Sequence, residues 1–107
     1  MPIPPKSIQN RAEKALEIRR ELPPSKRAGT PVGIARAAQL ANGENLSIDT
    51  LKRMRSFIAR HGPNYDIAIR RGKTNQDGGV VLAMNLWGGK AAMSWVEAEL
   101  RKAGELD

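Results

Sequence analysis

Apolar side chains recur every three or four residues along most of the chain, which is the spacing of one face of an α-helix. The first such segment predicts a helix from Ser7, as its N-cap, to about Leu22, where two consecutive prolines end it. The second is predicted to begin with Thr30 as N-cap and Pro31 in the first helical position, and to run to about Ala41. Both segments combine an apolar stripe with start and stop signals.

The middle of the chain predicts a third helix followed by a stretch with a weaker pattern. Ser47 is the predicted N-cap of this helix, which is expected to end near Arg60 because Gly62-Pro63 follows. Residues 65–70 alternate apolar and polar side chains, so they predict either a short extended segment or one more helical turn. Residues 62–79 as a whole are expected to form a mobile basic loop.

The C-terminal third predicts two short helices on either side of a glycine pair. Residues 80–87 are apolar except for Asn85, a run that is too short for a membrane and suits a buried helix of about two turns. Gly88-Gly89 breaks this run, and a last helix is predicted over residues 90–103. The 107 residues are therefore expected to form one all-α domain, a small bundle of about five helices with residues 1–6 as a flexible N-terminus.

Composition narrows the chemistry that such a domain can perform. The chain has no cysteine, which removes disulfides, thiolate metal ligands and thiol nucleophiles. No apolar segment follows the N-terminal prolines as it would in a signal peptide, and none approaches the roughly 18 residues that mark a membrane span. The sequence therefore predicts a cytoplasmic protein with no membrane partner.

Charge is the most informative feature of the composition. Lys and Arg number 18 against 11 Asp and Glu, which gives a net charge of +7. Residues 1–75 hold 15 of the basic and 6 of the acidic side chains, a net of +9, whereas residues 76–107 have a net of −2. A field of this sign attracts polyanions such as nucleic acid or an acidic protein. The alternative is a solvated basic surface that keeps the protein soluble.

Residues 34–60 have the outline of a helix-turn-helix, with a short alanine-rich helix, a turn and a second helix rich in basic residues. In that arrangement the start of the second helix would offer Ser47, Asp49, Thr50 and Arg53 to base edges or phosphates. Asp49 has the wrong sign for a phosphate contact, and the turn is longer than usual. An ordinary αα-hairpin with a solvated basic face is the alternative.

Catalytic and cofactor signals are weak. His61 is the one histidine, and at a predicted helix C-terminus it suits a favourable interaction with the helix dipole. Residues 72–79 contain glycines, but in the wrong order for a phosphate-binding loop. Trp87 and Trp95 favour core packing over base stacking, because they lie in the apolar and slightly acidic third of the chain. The sequence predicts no enzyme activity, no cofactor and no metal.

Several short runs are distinctive in combination. They are TPVGIARA at 30–37, LS at 46–47, LKRMRSFIARH at 51–61, LWGG at 86–89 and SW at 94–95. Together, from about Ala28 to Val96, they resemble a small helical domain of unknown function that many tailed phages encode. Family members often have acidic residues where this chain has Gly62 and Lys90. The resemblance implies a phage protein, in the cytoplasm of the infected cell or in the virion, and it brings no catalytic residue.

The leading interpretation is a non-enzymatic protein that binds nucleic acid, with DNA favoured, through phosphate contacts from basic side chains. The candidate residues are Lys26, Arg27, Lys52, Arg53, Arg55, Arg60, Arg70, Arg71 and Lys73. The alternative is a protein-interaction or virion structural module that engages an acidic phage or host protein, with residues 80–87 packed on that partner. Homo-oligomerisation is left open.

Overall fold

A computed structural model describes residues 2–106, which form five α-helices and two short 3₁₀ turns. The helices are α1 (Lys6–Glu21), α2 (Pro31–Ala41), α3 (Ile48–Arg70), α4 (Gly79–Leu86) and α5 (Ala92–Lys102), and the 3₁₀ turns are Pro24–Lys26 and Asn75–Asp77. No strand occurs in this part of the chain. The prediction of an all-α bundle of about five helices is therefore confirmed.

The apolar helix α4 lies at the centre of the bundle, in contact with α1, α2 and α3. Val81, Leu82, Met84 and Leu86 are all buried. Burying side chains of this size contributes about 1.5–3 kcal/mol each, so α4 provides much of the stability of the core. The run at residues 80–87 is consequently a core element, and the structure does not present it as a face for a partner.

Two of the predicted helix starts are confirmed by their capping hydrogen bonds. The backbone N–H of Gly33 donates to Oγ1 of Thr30 at 3.2 Å, and the N–H of Thr50 donates to Oγ of Ser47 at 3.1 Å. Each bond satisfies one of the amides that a helix leaves unpaired in its first turn.

The predicted start of α1 is wrong by two residues. Pro5 is the N-cap, and its carbonyl accepts from the amides of Ile8 and Gln9, so Ser7 lies inside the first turn without capping it. Pro5 has the extended ψ of an N-cap residue, and its fixed φ costs no further ordering there. The N-terminal segment is also anchored, because the Leu46 amide donates to the carbonyl of Pro2 and Pro4 is buried. Within the predicted flexible N-terminus, Pro2 and Pro4 thus contact the bundle and Lys6 belongs to α1, whereas Met1 lies outside the described residues.

Helix α3 continues through Pro63, where the sequence predicted an end near Arg60. Proline normally disfavours the helical conformation of the residue before it through a clash with that residue's Cβ, and Gly62 has no Cβ. Tyr65 beyond the proline packs against the core, which favours continuing the helix. Of the two alternatives for residues 65–70, the helical one is confirmed and the extended one is wrong. The loop expected over residues 62–70 is also wrong, because that stretch is helical.

Residues 71–78, the remaining part of the expected mobile loop, form a connection that is held by hydrogen bonds. Its 3₁₀ turn carries a capping box, in which the Thr74 amide donates to Asp77 Oδ2 at 2.8 Å and the Gln76 amide donates to Thr74 Oγ1 at 3.2 Å. Gly78 then has a φ of +71°, and a Cβ there would lie 2.2 Å from the carbonyl oxygen of Lys26. The segment thus closes against the α1–α2 connection.

Helix α5 packs along α3, with Ala92, Val96 and Leu100 buried between them and the rest of the core. Helix α5 is slightly shorter than the predicted span of residues 90–103. Glu97 is half-buried on α5, and Glu105 is exposed just after the C-terminal end of that helix. This packing brings those acids beside the basic side chains of α3.

Candidate nucleic-acid interface

Most of the predicted phosphate-binding residues lie along α3 and at its C-terminal cap. They are Lys52, Arg53, Arg55, Arg60, Arg70 and Arg71, and all are exposed. At about 1.5 Å per residue, the first and the last lie roughly 28 Å apart along the helix axis. Helix α3 carries two carboxylates: Asp49 is exposed in the first turn, and Asp66 pairs with Lys90 at 2.6 Å. The exposed side of α3 is therefore basic over residues 52–60 and again at its C-terminal end.

One edge of this basic side is paired with acidic residues of the C-terminal region. Lys52 Nζ lies 2.8 Å from Glu105 Oε1, and Arg55 Nε lies 3.1 Å from Glu97 Oε2. The hydrogen bond and the charge of Glu105 raise the pKa of Lys52. The charge split that is seen along the sequence is thus partly neutralised in the fold, and these two cations are less available to a polyanion.

The other edge of α3 faces a surface groove, which we call the Arg53–Arg60 groove. Its volume is about 320 Å³, and it is lined by Val32, Arg53, Ser56, Phe57, Arg60 and Trp87. Residues seven apart in a helix project within about 20° of each other and lie roughly 10 Å apart, so Arg53 and Arg60 stand at the two ends of one line. No acidic side chain lines the groove, and neither arginine has an ion pair within residues 2–106.

Trp87 forms the inner wall of the groove. Its indole stacks on Phe57 with ring centroids 4.6 Å apart and an interplanar angle of 11°, and the guanidinium of Arg36 lies 5.4 Å from its ring centroid. A Cβ on Gly33 would come within 3.1 Å of the indole nitrogen, so α2 approaches the ring closely. Trp87 is 8% exposed and packs in the core as predicted, so little of its ring is free for a base.

Arg36 is the site residue that sequence reasoning missed. It is 9% exposed, and its Nη1 donates to Gln39 Oε1 and, at 3.3 Å, to Thr50 Oγ1. Its Nε is buried without a hydrogen-bond partner. Burial lowers the pKa of Arg36, and the neighbouring charge of Arg53 lowers it further. The available signal was a single arginine among the small residues of α2.

The remaining candidates lie away from the Arg53–Arg60 groove. Arg27 donates to the carbonyl oxygens of Leu22 at 2.8 Å and Arg20 at 3.0 Å. Its guanidinium therefore caps carbonyl groups at the C-terminal end of α1. Lys26 and Lys73 line a separate cleft of about 390 Å³ together with Asp77.

The acid in that cleft stays charged over a wide pH range. The hydrogen bond from the Thr74 amide lowers the pKa of Asp77, and the charges of Lys73 and Lys26 lower it further. This second group of basic residues is thus partly neutralised by a carboxylate of its own.

The geometry gives the helix-turn-helix interpretation little support. Helix α2 packs chiefly on α1 and also on α4, whereas α3 packs on α5 and α4. Thr50, which was expected to meet base edges or phosphates, is 8% exposed, and it is bonded to Ser47 and Arg36. That expectation is wrong, because the Thr50 hydroxyl is occupied inside the protein.

His61 lies in the interior of α3, so its predicted interaction with a helix C-terminus is wrong. Its ring is 4.4 Å from that of Phe57, at a tilt of 43°. It lines a mainly apolar cleft of about 320 Å³ that also contacts Trp87. Among the described residues that line this cleft there is no carboxylate to orient the imidazole.

Comparison with known proteins adds no relative. The chain matches no protein-family model, no curated protein and no solved structure. Within residues 2–106, no group of three or more potential metal ligands comes together. No helix in the same range is both long enough and apolar enough to cross a membrane. The assignment of function therefore depends on the geometry of the chain itself.

Proposed function

We propose that this protein binds nucleic acid without catalysing a reaction, with duplex DNA as the favoured partner. Phosphate contacts come from the exposed side of α3. The observation that supports this proposal is the Arg53–Arg60 groove, which no acidic side chain lines and whose two arginines form no ion pair within residues 2–106. Arginines without an ion pair attract phosphates, and their binding releases the counterions that are condensed around nucleic acid.

The phage setting implied by the sequence resemblance belongs to the same proposal. The protein would act in the cytoplasm of the infected cell or in the virion. A non-enzymatic role is supported by the surroundings of His61, because a general base needs an orienting group and a nucleophile within hydrogen-bond reach. The cleft at His61 supplies no carboxylate for that purpose.

The proposal is tested by fluorescence anisotropy with a labelled duplex of 20 base pairs at several salt concentrations. We expect micromolar or tighter binding at low salt that weakens steeply as salt increases, because each phosphate contact changes the slope of log K against log salt by about 0.9. Single strands of the same length then separate duplex recognition from general polyanion binding. A protein that fails to bind the duplex at low salt would contradict the proposal.

Two exposed isoleucines favour the alternative of a protein-interaction module with an acidic partner. Ile67 and Ile69, near the C-terminal end of α3, are 39% and 45% exposed and have Arg70 and Arg71 next to them. Light scattering across a concentration series tests self-association through this end. A mass that rises with concentration in wild-type protein, but not in Ile67→Ser/Ile69→Ser, would favour the alternative.

A further inference from the structure

The buried positive charge of Arg36 is not balanced by a carboxylate within residues 2–106. Buried charges in folded proteins are normally paired, because removing an ion from water is costly. The guanidinium of Arg36 is 9% exposed, and the side chains that it bonds, Gln39 and Thr50, are both neutral. No carboxylate within residues 2–106 forms an ion pair with it, and its buried Nε has no acceptor. This cation therefore lacks a counter-charge.

The surroundings of Arg36 add positive charge instead of removing it. Arg53 is close enough for its charge to disfavour the protonated form of Arg36. Arg36 also lies over the indole of Trp87, which forms one wall of the Arg53–Arg60 groove. The guanidinium of Arg36 thus lies over the Trp87 ring, and Arg53 and Arg60 line the open groove of which Trp87 forms one wall. An anion in the groove would balance this positive charge.

We propose that the Arg53–Arg60 groove is a binding site for a single phosphate group, and that Arg36 supplies the buried positive charge behind it. Arginine suits this role, because its planar fork binds phosphate oxygens in pairs. Val32 lies in the first turn of α2, at the positive end of that helix dipole. The inference rests on the proposed function only for the source of the phosphate, which would be the nucleic-acid backbone.

The site is tested with inorganic phosphate as the probe. The thermal unfolding midpoint is measured as phosphate increases, with sodium chloride of equal ionic strength as the reference. We expect the wild-type midpoint to rise with phosphate beyond the chloride reference and to level off, since a ligand that binds the native state stabilises it. In Arg36→Met, which keeps an unbranched apolar stem of similar length, that additional rise should disappear.

Two further variants separate site binding from general effects of phosphate on stability. Phosphate also stabilises proteins by exclusion from their surface, and this part should be the same in every variant. Arg20→Gln removes an exposed charge on α1, which lies outside the groove and carries none of the candidate residues, and should respond as wild type does. Arg53→Gln should lose the additional rise, and its exposed position keeps the test valid if Arg36→Met does not fold.

A competition measurement identifies the source of the phosphate. If the groove holds a backbone phosphate, inorganic phosphate should weaken duplex binding by the wild type more than chloride of equal ionic strength, and this difference should vanish in Arg53→Gln. A phosphate-specific rise in a protein that does not bind duplex would support the site, assign it to small phosphate esters and contradict the proposed function. Equal rises in wild type, Arg36→Met and Arg53→Gln would overturn the site whether or not duplex binds.

Discussion

The two edges of α3 carry similar cations in different surroundings. On one edge Lys52 and Arg55 contact acidic residues of the C-terminal region, at 2.8 and 3.1 Å. On the other edge Arg53 and Arg60 line a groove that has no acidic side chain. All four belong to one stretch of nine residues, so the difference comes from the elements packed beside the helix. Local ion pairing, more than the number of basic residues, therefore decides which part of a basic helix is available to phosphate.

The largest expected effect comes from removing the two groove arginines together. Arg53→Gln/Arg60→Gln should weaken binding of a 20-base-pair duplex by about tenfold or more at low salt, because two phosphate contacts are lost. The slope of log K against log salt should become shallower by about 1.8, which is the contribution of two contacts. Anisotropy titrations over a range of salt concentrations measure both quantities.

The paired edge provides the matched control for that experiment. Lys52→Gln/Arg55→Gln removes the same net charge from the same helix, so it reproduces any loss that is due to the overall field alone. We expect less than about a threefold loss and little change in the salt slope, because these cations already have carboxylate partners. Equal losses in the two double variants would show that ion pairing does not distinguish the edges.

A smaller effect, on stability, is expected from removing the Thr50 hydroxyl, which accepts a hydrogen bond from Arg36. Thr50→Val keeps the shape of the side chain but removes the acceptor of Arg36 Nη1 and of the Ser47 hydroxyl. We expect the free energy of unfolding to fall by about 1 kcal/mol, the usual net value of such a bond. Chemical denaturation measures this change.

The control for Thr50→Val is a second hydroxyl deletion on the same helix. Ser56→Ala removes an exposed hydroxyl that lines the groove and has no side-chain hydrogen bond to the rest of the described chain. Its effect on stability should stay within about 0.5 kcal/mol, as is usual for surface substitutions. A loss in Thr50→Val no greater than that in Ser56→Ala would mean that Arg36 does not depend on Thr50.

The sequence predicted most of the fold, because the relevant signals were local. Thr30 and Ser47 each cap a helix through their own side chain, and the apolar run of residues 80–87 was buried because of its composition. The prediction failed where a local signal was overridden by tertiary packing. Pro63 is such a case, because Gly62 relieves the clash before the proline and Tyr65 packs beyond it.

The candidate site was only partly predictable for the same reason. Arg53 and Arg60 share a helix edge, and that relation follows from their spacing alone. The pairing of Arg55 with Glu97 joins residues 42 positions apart, and the contact of Arg36 with Trp87 joins residues that are further apart still. No local pattern encodes such contacts. The sequence therefore predicted a basic surface without showing which of its cations are free.

Removing the acidic partners tests the comparison in the opposite direction. Glu97→Gln/Glu105→Gln removes the two carboxylates and so makes the paired edge resemble the groove edge. We expect duplex affinity to rise by about threefold to tenfold at low salt, because Lys52 and Arg55 become available for phosphate contacts and the net charge increases by two. The same anisotropy titrations measure this gain.

A second double variant separates the contribution of net charge to that gain from the contribution of direct phosphate contacts. Glu13→Gln/Glu17→Gln removes two exposed carboxylates from α1, and neither has an ion pair within the described residues. This variant should raise affinity less than Glu97→Gln/Glu105→Gln does and leave the salt slope nearly unchanged. If both pairs raise affinity equally, the gain comes from net charge alone, and the ion pairs of α3 do not control access to its cations.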